Sequence, residues 1–267
     1  MSKTNKSDKF LKLIGKHQEK KKVEKFRGTL GDYLKLLEKN NDITKLSHKR
    51  LYDAITAHGI TRLQSSDERC NKIFNGEEVR TYDYFQSKFF GMERSLAKIM
   101  RFLRSASLRG EESRQVLLLL GPVGAGKSAL LEHIKSALEE CEPMYHIEGC
   151  PVHEEPLHLI PRSLRKEFQE IYGIKVEGDL CPVCRHKLKE EHNNDYTSMP
   201  ITQSSFSVRG RRGVGVVPPM DANSQDVTIL IGSEDISKLD LYSEDDPRVL
   251  SLNGAFNVGN RGIVEFV

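Results

Sequence analysis

Residues 121–128, Gly-Pro-Val-Gly-Ala-Gly-Lys-Ser, fit the pattern G-x-x-x-x-G-K-[ST]. Gly121, Gly124 and Gly126 let backbone N–H groups wrap an anion without Cβ clashes, and a helix starting at the loop aims its positive dipole end at the same point. The Lys127 ammonium suits the β- and γ-phosphates of a nucleotide, and the Ser128 hydroxyl suits Mg²⁺. Pro122, Val123 and Ala125 complete the loop. Eight residues can match by chance, so the flanks matter. Val116–Leu120 is an aliphatic run that reads as a buried strand, and Leu130, Leu131, Ile134 and Leu138 recur on one face of a helix from Lys127 to Glu140. Strand, loop and helix in that order predict an ATP–Mg²⁺ site, with Lys127 as the catalytic candidate. A glycine turn that binds nothing would not need either flank.

A second group of residues has ligand chemistry. Cys150-x-x-His153 and Cys181-x-x-Cys184 are two short-spaced pairs separated by 27 residues. Three thiolates and an imidazole are the donor set of a closed tetrahedral Cys₃His zinc site, with His158 and His186 as substitutes for His153. Pro follows the first Cys of each pair and favours a tight turn. The alternatives are a metal-free insertion or a redox C-x-x-C, and the latter lacks the βαβ setting it usually has. Four good ligands leave no open position, which excludes catalytic zinc. Cys70 and Cys141 fall outside both pairs and read as ordinary thiols. No Ser/His/Asp or Cys/His nucleophilic arrangement emerges from spacing.

The elements that must position these residues follow from periodicity. Leu30, Tyr33, Leu34 and Leu37 lie on one helical face after Thr29, an N-cap candidate, and Leu51, Ala54 and Ile55 mark a second helix closed by Gly59. They predict an N-terminal helical subdomain over 26–80. Met92, Leu96, Ile99, Met100 and Leu103 mark a further helix. "MYHIEG" reads as a short strand, and "DVTILIG" and "RGIVEFV" as strands or strand-helix edges. The order strand, loop, helix, strand predicts an α/β fold with a parallel sheet flanked by helices. Residues 150–222 lose the pattern and read as an insertion, the one expected to hold zinc.

Apolar residues are 37% of the 267 and charged residues 30%. The longest aliphatic run is the five residues 116–120, so a membrane span is excluded. Residues 1–25 carry nine Lys against three acids with no apolar core, which reads as a solvated basic tail rather than a secretory signal. Net charge is only +3, which argues against a nucleic-acid partner. Five Cys without an export signal argue against a disulfide framework, with a cytoplasmic location the default. "SVRGRRGVG" reads as a solvated loop.

Several stretches in order, "FRGTLGDYL", "FFGMERSL", "LLLLGPVGAGKS", "GCPVHEEPLHLIP", "LRKEFQEIYGIKVEGDL", "SQDVTILIGSEDI" and "DPRVLSLNGAFNVGNRGIVEF", resemble the N-terminal AAA+ domain of the bacterial PrkA serine protein kinase family. The resemblance runs from about Phe26 to Val267. Ala125 stands where that family commonly has Gly. The resemblance implies a P-loop NTPase of AAA+ type over 81–267, binding ATP through Gly121 to Ser128, within a protein that uses ATP and Mg²⁺ to phosphorylate protein serine. Self-assembly and a protein substrate are the implied partners. A remodelling or protease-linked AAA+ ATPase is the alternative, and a zinc-containing nucleic-acid module the alternative of another class. By the same alignment the family's acidic motif falls at Val267 and just beyond, Glu265 lies upstream of it, and the arginine finger and helical lid fall outside the chain. The expectation is a truncated module with weak nucleotide binding and little turnover by itself.

Overall fold

The Thr29 amide donates to Asp32 Oδ2 at 3.1 Å and so starts the helix Leu30–Lys39 where an N-cap was expected. That helix buries Leu30, Tyr33 and Leu37. The helix Ser47–Ala57 buries Leu51 and Ile55 and closes ahead of Gly59, whose φ of 122° suits glycine. The helix Glu93–Ser107 buries Leu96, Ile99, Met100 and Leu103. All three follow the predicted faces, because a 3.6-residue period leaves one apolar stripe to bury.

The computed structural model describes residues 26–64, 79–219, 226–244 and 246–267, with positions 7, 10–14, 66, 68, 70 and 72. Most of the expected basic tail therefore lies outside the described residues. The chain mixes helices with strands β1 (Arg27–Gly28), β2 (Ile60–Leu63), β3 (Val79–Tyr82), β4 (Met144–Ile147), β5 (Ile201–Ser204), β6 (Val214–Val217), β7 (Ser233–Glu234), β8 (Leu250–Ser251) and β9 (Ile263–Phe266). Strands β2 and β3 form an antiparallel pair beside helices, so the region expected to be helical carries a small sheet as well.

The sheet differs from the expected parallel one. Strands β1, β5 and β4 pair antiparallel, with Met144 opposite Ser204 and Ile147 opposite Ile201. Among the described residues the parallel arrangement is confined to β6 and β9, which run in register from Val214 with Ile263 to Val217 with Phe266. Residues 116–120, expected as a buried strand, are irregular, with Val116, Leu118 and Leu120 largely exposed. A strand is defined by ladder hydrogen bonds, and among the described residues none pairs with this run. Leu119 alone of the five turns toward the core. Of the two readings of "DVTILIG", the structure has the helical edge: Thr228–Ile231 is a short helix that leads into β7. Asp226 Oδ1 accepts from the Thr228 amide at 2.9 Å and its hydroxyl at 2.6 Å, a local turn that competes with extended backbone.

Among the described residues, two large hydrophobic clusters fill the interior, beside a small one of Leu63 and Cys70. In the first, Leu51, Ile55, Ile99 and Met100 pack with Leu130, Ile134 and Leu138 of the helix Lys127–Glu139. In the second, Leu30, Tyr33 and Leu37 pack with Leu159, Phe168, Leu188 and Ile201. Residues 150–222 thus contribute two helices, Arg165–Tyr172 and Pro182–Glu190, to a core shared with the first helix.

The packing of β6 against the short helix Ala255–Val258 is close enough to test. A Cβ added at Gly215 would lie 2.1 Å from the Ala255 carbonyl oxygen, a backbone atom that cannot swing aside. Gly215→Ala is expected to cost about 1–3 kcal/mol by overpacking, read as a lower urea midpoint with unchanged slope. An unchanged midpoint would refute this packing.

Candidate functional site

The helix Lys127–Glu139 opens directly from the glycine loop, with Gly126 at φ 79° in the N-cap position. Gly124 has φ 80°, and nothing lies within 4 Å of where its Cβ would be. Both glycines therefore sit where L side chains are strained, so these residue types follow from the turn itself. The turn is closed by the Ala125 amide donating to the Pro122 carbonyl at 3.3 Å. Lys127 Nζ donates to the carbonyls of Gly121 at 2.7 Å and Pro122 at 2.8 Å, so its ammonium curls over the loop. Ser128 is exposed at the first helical turn. Gly121 to Ser128 thus form a mostly exposed loop that opens a helix N-terminus, with the Lys127 ammonium folded over it.

The same helix carries a pair that spacing did not reveal. Lys135 Nζ lies 2.6 Å from Glu265 Oε2 on β9 and also pairs with Glu132. The Lys135 and Glu265 side chains are only 4% and 8% exposed, whereas Glu132 is 64% exposed. Burial works to lower the Lys135 pKa, and hydrogen bonds to Glu132 and Glu265 outweigh it and raise it. A lysine on a mostly apolar helical face was the signal available for this contact.

The structure brings Cys150, Cys181 and Cys184 together, and the fourth member of the group is Glu154 rather than His153. The expected ligand His153 has φ 47° and its ring packs edge-on against His146 at 4.8 Å between centroids. Its pKa is pushed down to about 4, first by burial and then by His146, Arg212 and Arg261. The turn Cys150–Glu154 explains the exchange: the Glu154 amide donates to Cys150 Sγ at 3.4 Å, which folds residue 154 back over the first sulfur. Cys181 caps the helix Pro182–Glu190, its sulfur accepting from the Cys184 amide at 3.4 Å, with Pro182 at the first helical position. Neither His158 nor His186 joins the group. His158 Nδ1 instead lies 3.1 Å from Glu154 Oε1, and its Nε2 lies 2.8 Å from the Glu177 carbonyl. Burial works to lower the His158 pKa, and Glu154 raises it overall. Within the cluster, contacts from Cys181 and Cys184 pull the Cys150 pKa down against burial, while contact with Cys150 raises that of Cys184. Three sulfurs and a carboxylate are compatible with a structural metal site.

The turn that carries Glu154 is braced against the turn before β9. Asn260 Nδ2 donates to the Val152 carbonyl at 2.8 Å, and Arg261 pairs with Glu155. Tyr33 OH donates to Glu155 Oε1 at 2.6 Å, which ties the first helix to the same point.

The family described as "PrkA AAA domain" matches residues 28–267. The chain is 35% identical over 264 residues to the ATP-dependent protease PrkA of Bacillus subtilis (strain 168), covering 96% of this chain and 40% of that protein. It is 32% identical over 210 residues to the serine/threonine kinase YeaG of Escherichia coli (strain K12), covering 76% of this chain and 32% of that protein. The chain therefore spans well under half the length of these relatives. No solved structure matches it. Among the described residues, no helix is long and apolar enough to cross a membrane.

Proposed function

The chain belongs to the PrkA AAA domain family, and from that premise we propose that Gly121–Ser128 bind ATP with Mg²⁺ and that the intact protein transfers the γ-phosphoryl group to protein serine. The observation that carries the reading is the loop geometry itself. Gly124 and Gly126 adopt positive φ, nothing lies within 4 Å of a Cβ placed at Gly124, and the loop opens a helix N-terminus with Lys127 folded over it. In this reading the Lys127 ammonium neutralises charge on the β- and γ-phosphates, the helix N–H groups hold them in place, and the Ser128 hydroxyl is a ligand of Mg²⁺. The bound metal supplies charge stabilisation at the transferring group. Residues 81–267 are read as an AAA+ P-loop unit with 150–222 inserted, and 26–80 as the segment that precedes it.

The kinase reading takes support from the Escherichia coli relative, a serine/threonine kinase by name, and the Bacillus relative's name supports an ATP-dependent protease. A Ser–His contact exists in the chain, His192 Nδ1 to Ser198 Oγ at 2.8 Å. The Ser198 hydroxyl also donates to the Asp195 carbonyl at 3.0 Å in an exposed turn, and among the described residues no carboxylate orients the ring. This is turn packing rather than an activated nucleophile.

The test supplies the intact protein with γ-labelled ATP, Mg²⁺ and casein as a general acceptor. Labelled phosphoserine that disappears in the Lys127→Ala variant is the expected result. ATP-dependent cleavage of casein without label would replace the kinase reading with the protease one.

A further inference from the structure

We infer that Cys150, Glu154, Cys181 and Cys184 bind one structural zinc ion with a Cys₃Glu ligand set. The four ligand atoms lie within 4.8 Å of one another, contributed by two chain segments. Cys150 Sγ and Cys181 Sγ are 3.9 Å apart. A tetrahedral ion about 2.3 Å from each sulfur would place them about 3.8 Å apart, whereas a disulfide needs about 2 Å. The spacing is that of two ligands of one ion.

The surroundings are those of a prepared metal site. Two backbone N–H groups point at sulfurs, Glu154 to Cys150 and Cys184 to Cys181, each at 3.4 Å, and such donors favour the thiolate a metal requires. The Cys181 amide at 2.8 Å and His158 Nδ1 at 3.1 Å both approach Glu154 Oε1. That leaves Oε2, 3.9 Å from Cys150 Sγ, as the carboxylate oxygen turned toward the cluster. His158, held from behind by the Glu177 carbonyl, orients the carboxylate as outer-shell partners of metal ligands do. Cys150, Glu154 and Cys184 are buried, which suits a closed site without bound water. Soft sulfur donors with one hard oxygen select zinc over magnesium or calcium.

Binding would release the protons of the ligand thiols and join the turn at 150–154 to the helix Pro182–Glu190. The ion therefore closes the second hydrophobic cluster, in which Cys150, Cys184 and Leu188 pack with Tyr33 and Leu37 of the first helix.

The test is metal analysis of the 267-residue chain purified under reducing conditions, followed by titration of the metal-free chain with Co²⁺. About one zinc per chain and a sulfur-to-cobalt charge-transfer band with tetrahedral d–d bands are expected. His153→Ala should keep the metal, and Glu154→Ala should lose it or change the d–d bands. His158→Ala should weaken affinity on the order of 10- to 100-fold. Absence of both zinc and the cobalt bands in the unaltered chain would overturn the inference without recourse to any variant. So would a Cys150–Cys181 disulfide in protein prepared without reductant that then takes up no metal after reduction. Loss of metal in His153→Ala with retention in Glu154→Ala would overturn the ligand set. The outcome is independent of nucleotide binding, so failure here and failure of the ATP reading are distinguishable.

Discussion

Lys127→Ala in the 267-residue chain is expected to weaken Mg²⁺–ATP binding by about 10- to 100-fold. Hydrogen bonds to charged groups contribute about 1.5–3 kcal/mol each, and every 1.4 kcal/mol or so is a factor of ten in affinity. The substitution should leave the fold nearly untouched. Lys127 reaches only the exposed carbonyls of Gly121 and Pro122, which water can satisfy once the ammonium is gone. Equilibrium titration with a fluorescent ATP analogue measures the affinity, and the thermal midpoint serves as the folding control. Equal affinities in the two proteins would remove the loop from the nucleotide site.

Replacing Lys135 with Met should be the most destabilising of these changes, by about 3–5 kcal/mol. It leaves Glu265, whose side chain is 8% exposed, without its cation, and an uncompensated buried charge is costly. The double variant Lys135→Met with Glu265→Leu should recover much of that loss, because removing both charges also removes the desolvation cost. Urea unfolding of the four proteins measures both effects. An additive double variant would show that the two side chains do not interact. The pH dependence has a definite sign. Lys135 has a raised pKa in the fold, and an unfolded lysine titrates near 10.4. Its stabilisation is complete below that value and is lost as pH climbs through the higher folded value. The unaltered chain should therefore lose stability on the alkaline limb above about pH 10 more steeply than the double variant.

Much of this was legible in the residues alone. The helices Leu30–Lys39, Ser47–Ala57 and Glu93–Ser107 bury the faces that their periodicity marks. The glycine loop ends in a helix at Lys127, as a G-x-x-x-x-G-K-S pattern requires. Three of the four residues expected to share a metal do come together. Helical periodicity and turn chemistry are local, and a few neighbouring residues suffice to state them.

What failed to show was of another kind. The run 116–120 is apolar enough for a strand, yet a strand exists only through a neighbour, and composition does not name the neighbour. The direction of β4 is hidden for the same reason, since 53 residues separate it from its partner β5, which lies inside the expected insertion. At the metal cluster, imidazole and carboxylate stand side by side at 153 and 154. Which one faces the sulfurs depends on a single turn, in which His153 takes a positive φ and packs on His146.

By itself the sequence determined the local devices: the glycine loop, the amphipathic helices, the Cys pairs and the resemblance that family matching bore out. Only the tertiary structure decided which strands meet, that Glu154 replaces His153, and that Lys135 on the loop's helix is locked to Glu265 on β9. The physical reason is range. Backbone preference and periodicity act over a few residues, whereas ligand sets and buried ion pairs are made between segments 31 and 130 residues apart, where only packing brings them within reach.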